Sequence, residues 1–171
     1  EGIQQVGHAD IMHYEEITAF VRVAAQAGVS EIRLTGGEPL ARLGLPNLVA
    51  MLAAIPGIRD ISLTTNGLLL ERFAAELKQA GLNRVNISLD TLRPERFAQI
   101  TRGGSFAQVW RGILAAEAAG LAPLKINAVA MRGVNDDEFL DLARLALEHP
   151  WQIRFIELMP LTTRKMAKPW M

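Results

Sequence analysis

The sequence predicts an α/β domain in which parallel strands alternate with helices in repeated βαβ units. Three observations support this fold class: a glycine motif that recurs four times, amphipathic patterns between β-type segments, and polar side chains along one face of several strands. Strands that alternate with helices form a parallel sheet with right-handed crossovers. With 171 residues, 50% of them hydrophobic, the chain can bury one substantial core, and we expect a single domain over residues 1–171.

The glycine motif marks the boundary between a helix and the strand that follows it. It reads glycine, large aliphatic residue, two variable residues, large aliphatic residue, and it begins at Gly28, Gly57, Gly81 and Gly120. Glycine adopts the left-handed conformation that closes a helix, and the apolar residue after it packs back onto that helix. The predicted strands are EIRLT (31–35), DISLTT (60–65), RVNISLD (84–90), LKINAVA (124–130) and QIRFIEL (152–158).

Amphipathic patterns predict five helices around these strands. Apolar residues recur there at the three- and four-residue spacing that places them on one helix face. Pro46 suits a first helical turn, and Ser105 with Gln108 has the spacing of a capping box. The apolar positions are Ile17, Phe20, Val21 and Ala24; Leu45, Leu48, Val49 and Leu52; Leu70, Phe73, Ala74 and Leu77; Phe106, Val109, Trp110 and Ile113; Phe139, Leu142, Ala143 and Ala146.

Polar side chains occupy one face of the first four predicted strands, and apolar side chains occupy the other. A closed eight-stranded barrel fills its interior with branched apolar residues, so this pattern favours an open or partial barrel with a wet interior for a polar ligand. The alternative is that these residues only satisfy loop hydrogen bonds at strand ends. The polar positions are Arg33 and Thr35; Ser62, Thr64 and Asn66; Asn86, Ser88 and Asp90; Lys125 and Asn127.

Composition excludes several classes of function. Lysine plus arginine and aspartate plus glutamate each number 18, so the formal net charge is zero and no basic footprint for nucleic acid is present. Charges interrupt every apolar run well before a membrane-spanning length, and no signal-peptide pattern opens the chain. We therefore expect a cytoplasmic protein without nucleic-acid or membrane partners. Cysteine is absent, which excludes disulfides, thiolate catalysis and cysteine-bound metal within these residues.

The segment TGGEP follows the first predicted strand, where ligands of parallel α/β folds bind. Gly36 and Gly37 permit backbone geometries closed to other residues, and Pro39 restricts Glu38 to extended conformations. The pattern predicts a carboxylate held rigidly at the mouth of the sheet, which suits an ammonium group better than a phosphate. The alternative is a tight turn between strand and helix that carries a solvated glutamate.

Two further strand ends carry polar residues. In LTTNG, threonine and asparagine either donate to a ligand or form local turn hydrogen bonds. In NISLD, Ser88 and Asp90 lie on the polar face, and capping of the segment that follows is the favoured interpretation for Asp90.

Lys125 lies inside a predicted strand, where an amine is costly to bury without an anionic partner. Together with Arg33 it would form a site for a multiply charged anion such as a triphosphate. The alternative is a lysine that reaches solvent from an edge strand. The segment RGVNDDE, from Arg132, has a simpler interpretation: Gly133 turns the chain, and residues 135–138 cap and charge the next helix.

Taken together and in this order, the motifs resemble those of the radical S-adenosylmethionine superfamily and, more narrowly, the GTP 3′,8-cyclases of molybdenum cofactor biosynthesis. GGEP alone indicates the superfamily, and RGVNDDE followed by FIELMP narrows the match. The resemblance covers nearly the whole chain through RLTGGEPLAR, LTTNGLLL, LNRVNISLDTL, ITRGGSF, KINAVAMRGVNDDE and RFIELMP.

This resemblance implies a fold and two ligands. The family fold is a partial, TIM-like (β/α) barrel of six strands, open at one side, of which this chain would supply strands two to six. The resemblance places adenosylmethionine and GTP on different residues. The adenosylmethionine positions are Gly36, Gly37, Glu38, Pro39, Ser88 and Met159, and the GTP positions are Arg33, Thr64 and Lys125.

The resemblance also implies a chemistry that this chain cannot complete alone. The family converts GTP into 3′,8-cyclo-7,8-dihydro-GTP with adenosylmethionine and two 4Fe–4S clusters, and cyclic pyranopterin monophosphate synthase acts on the product. The cysteines of the first cluster are expected on a loop before Glu1, after a first strand, and those of the second beyond Met171. We therefore expect this cysteine-free chain to be inactive alone and to contain no metal-ligating residues, and a homodimer is a further expectation.

Two alternatives stay open at this stage. The chain could be a cluster-free scaffold that binds nucleotide and adenosylmethionine without redox chemistry. It could also belong to another radical enzyme of the superfamily that acts on a peptide or small metabolite.

Overall fold

The computed structural model describes residues 11–159, and within that range all five predicted strands and all five predicted helices are present. A sixth helix, α4, was not predicted. The elements are α1 (Tyr14–Gln26), β1 (Glu31–Leu34), α2 (Leu45–Ala53), β2 (Asp60–Thr65), α3 (Leu70–Gln79), β3 (Arg84–Ser88), α4 (Pro94–Thr101), α5 (Phe106–Ala118), β4 (Leu124–Ala130), α6 (Phe139–Glu148) and β5 (Trp151–Glu157), with 3₁₀ turns at Pro39–Ala41 and Asp136–Glu138.

The strands form one parallel sheet in the order β1-β2-β3-β4-β5. Because each strand lies beside its predecessor, right-handed crossovers all step in the same direction and place the connecting helices on one face of the sheet. Among residues 11–159, the opposite face is left free of helices. The predicted α/β architecture is confirmed. A single barrel core over residues 1–171 stays a prediction, because the described residues cover only part of that range.

The two faces of the sheet differ as predicted. On the helix side, Leu63, Ile87 and Ile126 are fully buried in the hydrophobic core. On the other side, strand register places Asn86 beside Thr64 and beside Lys125. The Asn86 amide donates to the Thr64 hydroxyl at 3.3 Å, so this polar contact joins two strands. The polar face is therefore part of the sheet itself, and the alternative of residues that only serve loops is wrong for these positions.

The glycine motif ends three helices as predicted, at Gly28, Gly81 and Gly120, whereas Gly57 lies three residues beyond the C-cap of α2, in the turn before β2. Gly81 has φ +105°, and the Leu82 N–H donates to the Leu77 carbonyl at 2.9 Å, which closes α3 while Leu82 packs into the core. At the start of α5, the Ser105 hydroxyl accepts a hydrogen bond from the Gln108 N–H at 3.3 Å. The other glycines of the motif share the left-handed conformation: Gly28 at +98°, Gly57 at +99° and Gly120 at +71°.

Helix α4 has a weak sequence signal. Its only buried residue is Phe97, so it shows no apolar stripe of the kind that predicted the other helices. Pro94 at its first turn was the available cue, because proline is favoured at that position. The strand before it also ends at Ser88, two residues earlier than predicted.

Helix α5 lies unusually close to the start of α3, and Gly112 permits that approach. A Cβ atom at Gly112 would lie 2.6 Å from the Gly67 carbonyl oxygen and 3.2 Å from the Leu70 Cβ. Because the nearest atom belongs to the backbone, no flexible side chain could move aside to make room for this Cβ atom. The packing of α3 against α5 therefore depends on the absence of a side chain at Gly112.

Gly112→Ala is expected to lower the free energy of unfolding by about 1–3 kcal/mol, because overpacking outweighs the better helix propensity of alanine. Chemical denaturation measures the change. Ala118→Gly, at an exposed position of the same helix, is the control and should cost about 1 kcal/mol or less from propensity alone. A Gly112→Ala variant as stable as the parent would contradict the steric explanation.

Candidate functional site

A cavity of about 350 Å³ lies at the carboxyl ends of β2 and β3. Polar side chains line one part of it, namely Asn66, Ser88 and Asp90. Helix α4 contributes the apolar part through Phe97 and Ile100. A pocket with apolar walls and a few convergent polar groups is the usual form of a small-molecule site, and its place at the strand ends agrees with ligand sites in parallel α/β folds.

Glu38 is fixed at the mouth of the sheet by three hydrogen bonds. Its Oε1 accepts from the Leu40 N–H at 3.1 Å and from the Thr65 hydroxyl at 2.7 Å, and its Oε2 accepts from the Asn66 N–H at 2.7 Å. Its backbone is extended, with φ −134° and ψ 107°, as expected for a residue before Pro39. The carboxylate is held rigidly, as the pattern predicted, although Glu38 is half-buried and also belongs to a tight turn. Its hydrogen bonds tie the loop after β1 to the end of β2.

Asp90 lines the cavity, and the capping interpretation favoured from sequence is wrong. Its Oδ1 accepts a hydrogen bond from the Val129 N–H of β4 at 2.7 Å, whereas helix α4 has Arg93 at its N-cap without a side-chain cap. Burial raises the pKa of the Asp90 carboxyl above its usual value, and the hydrogen bond from Val129 opposes that shift. Asp90 therefore joins β3 to β4 and presents a carboxylate to the cavity.

Lys125 lies in a positively charged part of the polar face. The residue is 8% exposed, and β4 pairs with β3 on one side and β5 on the other, so the alternative of an edge-strand lysine is wrong. Burial lowers the pKa of Lys125, and Arg154, Arg84 and Arg33 lower it further, while Asp60 opposes them. The site therefore favours an anion.

The arginines near Lys125 are not equally available to a ligand. The Arg84 Nε donates to both carboxylate oxygens of Asp60, at 3.0 and 2.9 Å, and its guanidinium also contacts Glu31. Arg33 and Arg154 are exposed. Within the part of the chain that the structure describes, the cations around Lys125 that remain open to an anion are thus Lys125 itself, Arg33 and Arg154.

The remaining predicted site residues fall into two groups. Thr64 lies on the polar face, in register with Asn86, which itself lies beside Lys125. At the strand ends, Gly36, Gly37 and Pro39 hold the loop that carries Glu38 without lining the cavity, and Met159, 62% exposed, lies beyond the end of β5. Ser88 is the predicted adenosylmethionine residue that the structure brings into the cavity wall.

The segment RGVNDDE does not cap a helix with its side chains. Neither Asn135 nor Glu138 forms a side-chain cap, which corrects the prediction, although Gly133 turns the chain with φ +70° as expected. The fully buried Asn135 amide instead donates to the carbonyls of Asp90 and Val129, at 2.6 and 2.8 Å. Asn135 thus joins the ends of β3 and β4.

Comparison with known proteins identifies the family. The family model described as the Radical SAM superfamily matches residues 2–146. The chain belongs to the radical SAM superfamily. This result confirms the resemblance inferred from the motifs.

This radical SAM chain has close relatives among curated proteins. It is 60% identical over 162 residues to the GTP 3′,8-cyclase of Moorella thermoacetica, covering 95% of the chain and 50% of the relative. It is 56% identical over 160 residues to the GTP 3′,8-cyclase of Heliobacterium modesticaldum, covering 94% and 49%. The chain spans about half the length of the curated relatives it matches.

Solved structures of the superfamily share the fold of this radical SAM chain. The structure described as native anSMEcpe with bound AdoMet has a TM-score of 0.71 at 22% identity, covering 93% of the chain and 46% of that protein. Methylornithine synthase has a TM-score of 0.65 at 21% identity, covering 85% and 44%. The likeness supports the predicted TIM-like barrel fold.

The residues of this radical SAM chain do not fit an iron–sulfur cluster. Cysteine thiolates hold such clusters, and the sequence contains none. Within residues 11–159, no group of three His, Asp or Glu side chains could hold a metal ion instead. In the same range, no helix is both long enough and apolar enough to cross a membrane.

Proposed function

We propose that the whole protein is a GTP 3′,8-cyclase of molybdenum cofactor biosynthesis and that this chain forms its core for binding adenosylmethionine and GTP. The observation that carries the proposal is 60% identity to a GTP 3′,8-cyclase across nearly the whole chain. The GGEP loop and the polar strand face are consistent with it. Adenosylmethionine, when bound and reduced by an iron–sulfur cluster, supplies the radical chemistry of the family.

We assign the cavity at the strand ends to adenosylmethionine. Its apolar walls suit an adenine ring, and the Ser88 hydroxyl and Asp90 carboxylate suit ribose hydroxyls. The loop of Gly36, Gly37, Glu38 and Pro39 would accept the ammonium group, because the fixed Glu38 carboxylate keeps acceptor capacity on Oε2. Met159 completes the proposed set from the segment after β5.

We assign the polar strand face to GTP. A triphosphate needs several cations, and Lys125 on β4 and exposed Arg33 on β1 provide them on the same face of one sheet. Thr64 offers a hydroxyl on the same face. The Asn127 Oδ1 on this face is buried without a hydrogen-bond partner among the described residues, which is consistent with a ligand donor at that point.

The proposed whole protein needs parts that this chain does not supply. Its two 4Fe–4S clusters would take their cysteines from the half of the relatives' length that the chain does not span. The protein would act in the cytoplasm, without nucleic-acid or membrane partners, as a homodimer whose product is the substrate of cyclic pyranopterin monophosphate synthase.

The experiment that tests the proposal uses the full-length protein, reconstituted anaerobically with iron and sulfide and supplied with a reductant. With adenosylmethionine and GTP it is expected to form 3′,8-cyclo-7,8-dihydro-GTP, identified by mass spectrometry. Cleavage of adenosylmethionine without a GTP-derived product would instead indicate another radical enzyme. Binding of both ligands with no cleavage would indicate a scaffold without redox chemistry.

A further inference from the structure

The carboxylate of Glu138 is buried and does not cap α6, the helix that this residue directly precedes. The residue is only 2% exposed. Its Oε1 accepts from the Thr91 hydroxyl at 2.6 Å, and its Oε2 accepts from the Leu92 N–H at 2.7 Å. The Arg96 guanidinium also contacts Oε1. A buried carboxylate is costly unless it is hydrogen-bonded and paired, and here the loop before α4 and the first turn of α4 supply both.

Helix α4 has little other attachment to the core. It is eight residues long and buries only Phe97 completely. One buried side chain leaves the direction and depth of a short helix weakly determined. Glu138 holds the two residues that lead into the helix, together with Arg96 in its first turn. The position of α4 therefore depends on Phe97 and on side chains from the loop between β4 and α6, among which Glu138 is the buried one.

The position of α4 sets the width of the cavity. Phe97 and Ile100 lie on α4, whereas Ser88 and Asp90 lie at the end of β3. Thr91, which Glu138 holds, directly follows Asp90 in sequence. The same contact therefore joins the polar wall of the cavity to the apolar wall.

We propose that Glu138 is a positioning residue for the adenosylmethionine cavity, because it fixes α4 and its apolar wall against the polar residues at the end of β3. The inference rests on the proposed assignment of that cavity to adenosylmethionine. Glu138 does not line the cavity and acts through Thr91, Leu92 and Arg96. Its effect is thus on the affinity for adenosylmethionine and not on the polar strand face proposed for GTP.

The chain offers a matched control in the neighbouring residue. Asp137 pairs with Arg96 at 2.7 Å, as Glu138 also does, and with Arg93 at 2.9 Å, but it is 46% exposed and has no hydrogen bond to Thr91 or Leu92. Asp137→Asn removes one charge from the same cluster but leaves the hydrogen bonds of Thr91 and Leu92 to Glu138 in place. Any effect specific to Glu138 must then come from its buried hydrogen bonds.

The test measures the dissociation constants of adenosylmethionine and GTP, by calorimetry, for the reconstituted full-length protein and its variants. Glu138→Gln is expected to weaken adenosylmethionine binding about tenfold or more, because the amide places an N–H against the donors that surround it. GTP affinity should stay within about twofold, and Asp137→Asn should leave both affinities within about twofold.

A second pair of variants decides the question if Glu138→Gln fails to fold. Thr91→Val removes the hydroxyl that donates to Glu138, and it should weaken binding of adenosylmethionine but not of GTP. Thr91→Ser keeps this hydroxyl and should bind adenosylmethionine as the unsubstituted protein does. Equal losses for both ligands, or equal behaviour of the valine and serine variants, overturn the positioning role. Failure of the unsubstituted protein to bind adenosylmethionine overturns the proposed function as well, so the two failures are distinguishable.

Discussion

Lys125→Ala is expected to weaken GTP binding by about 3 kcal/mol, on the order of a hundredfold in Kd, in the full-length protein. The amine is almost buried and has arginines as its main charged neighbours, so an anion is the partner that its environment lacks. Adenosylmethionine affinity should change by about twofold or less, because its proposed cavity lies at the strand ends. Calorimetric titration with each ligand measures both.

The control for this prediction is Lys78→Ala. Lys78 lies on α3, is exposed, and donates to the Gly120 carbonyl at 2.8 Å, away from the polar face. Its removal deletes the same charge and should leave GTP affinity within about twofold. If Lys125→Ala weakened the affinities for GTP and for adenosylmethionine equally, the role proposed for this lysine would be contradicted.

The pH dependence of binding offers an independent check on Lys125. Its pKa is lowered in the free protein, and a bound triphosphate would raise it again by favouring the charged form. At pH values that approach the lowered pKa, GTP binding should therefore take up protons. Calorimetry in buffers of different ionisation enthalpy detects this uptake, which should be absent from Lys125→Ala.

Glu38→Gln is the second substitution with a large expected effect. The amide NH₂ group of glutamine would replace one of the two carboxylate oxygens and could not accept the hydrogen bonds that this oxygen accepts. At least one of the three hydrogen bonds is therefore lost. We expect unfolding free energy to fall by about 1–3 kcal/mol and adenosylmethionine binding to weaken about tenfold or more. Denaturation and calorimetric titration measure the two quantities.

An exposed glutamate on α3 provides the comparison for Glu38. Glu71 pairs with Arg111 at 3.0 Å while its side chain is 47% exposed, so Glu71→Gln should cost less than about 1 kcal/mol. Glu71→Gln should leave the affinity for adenosylmethionine unchanged. If Glu38→Gln behaved like Glu71→Gln, the fixed carboxylate would not be part of the ligand site.

Features determined by neighbouring residues could be predicted from the sequence. The left-handed glycines, such as Gly81, and the extended conformation of Glu38 before Pro39 depend on local backbone chemistry. The alternating faces of β3 and β4 follow from the strand period of two, which is why Lys125 could be assigned to the polar face.

Features determined by distant partners could not be predicted in this way. Asp90 and Val129 are 39 residues apart in sequence, and Asn135 and Asp90 are 45 apart, so no local pattern indicates their hydrogen bonds. Short-range rules therefore assigned these side chains to helix caps, for which Asp and Asn are the commonest residues. Helix α4 was missed for a related reason, because its single buried residue, Phe97, depends on tertiary packing.

The placement of charge on strands and of the apolar cavity wall on a short helix divides this protein into a stiff part and an adjustable part. Lys125 belongs to a strand hydrogen-bonded on both sides, and its position cannot change without deforming the sheet. Phe97 belongs to a short helix whose position depends on a few side-chain contacts. Substitutions in α4 and in the loops that hold it can therefore retune the proposed adenosylmethionine cavity while the charges on the sheet stay in place, so that the two proposed affinities could evolve separately.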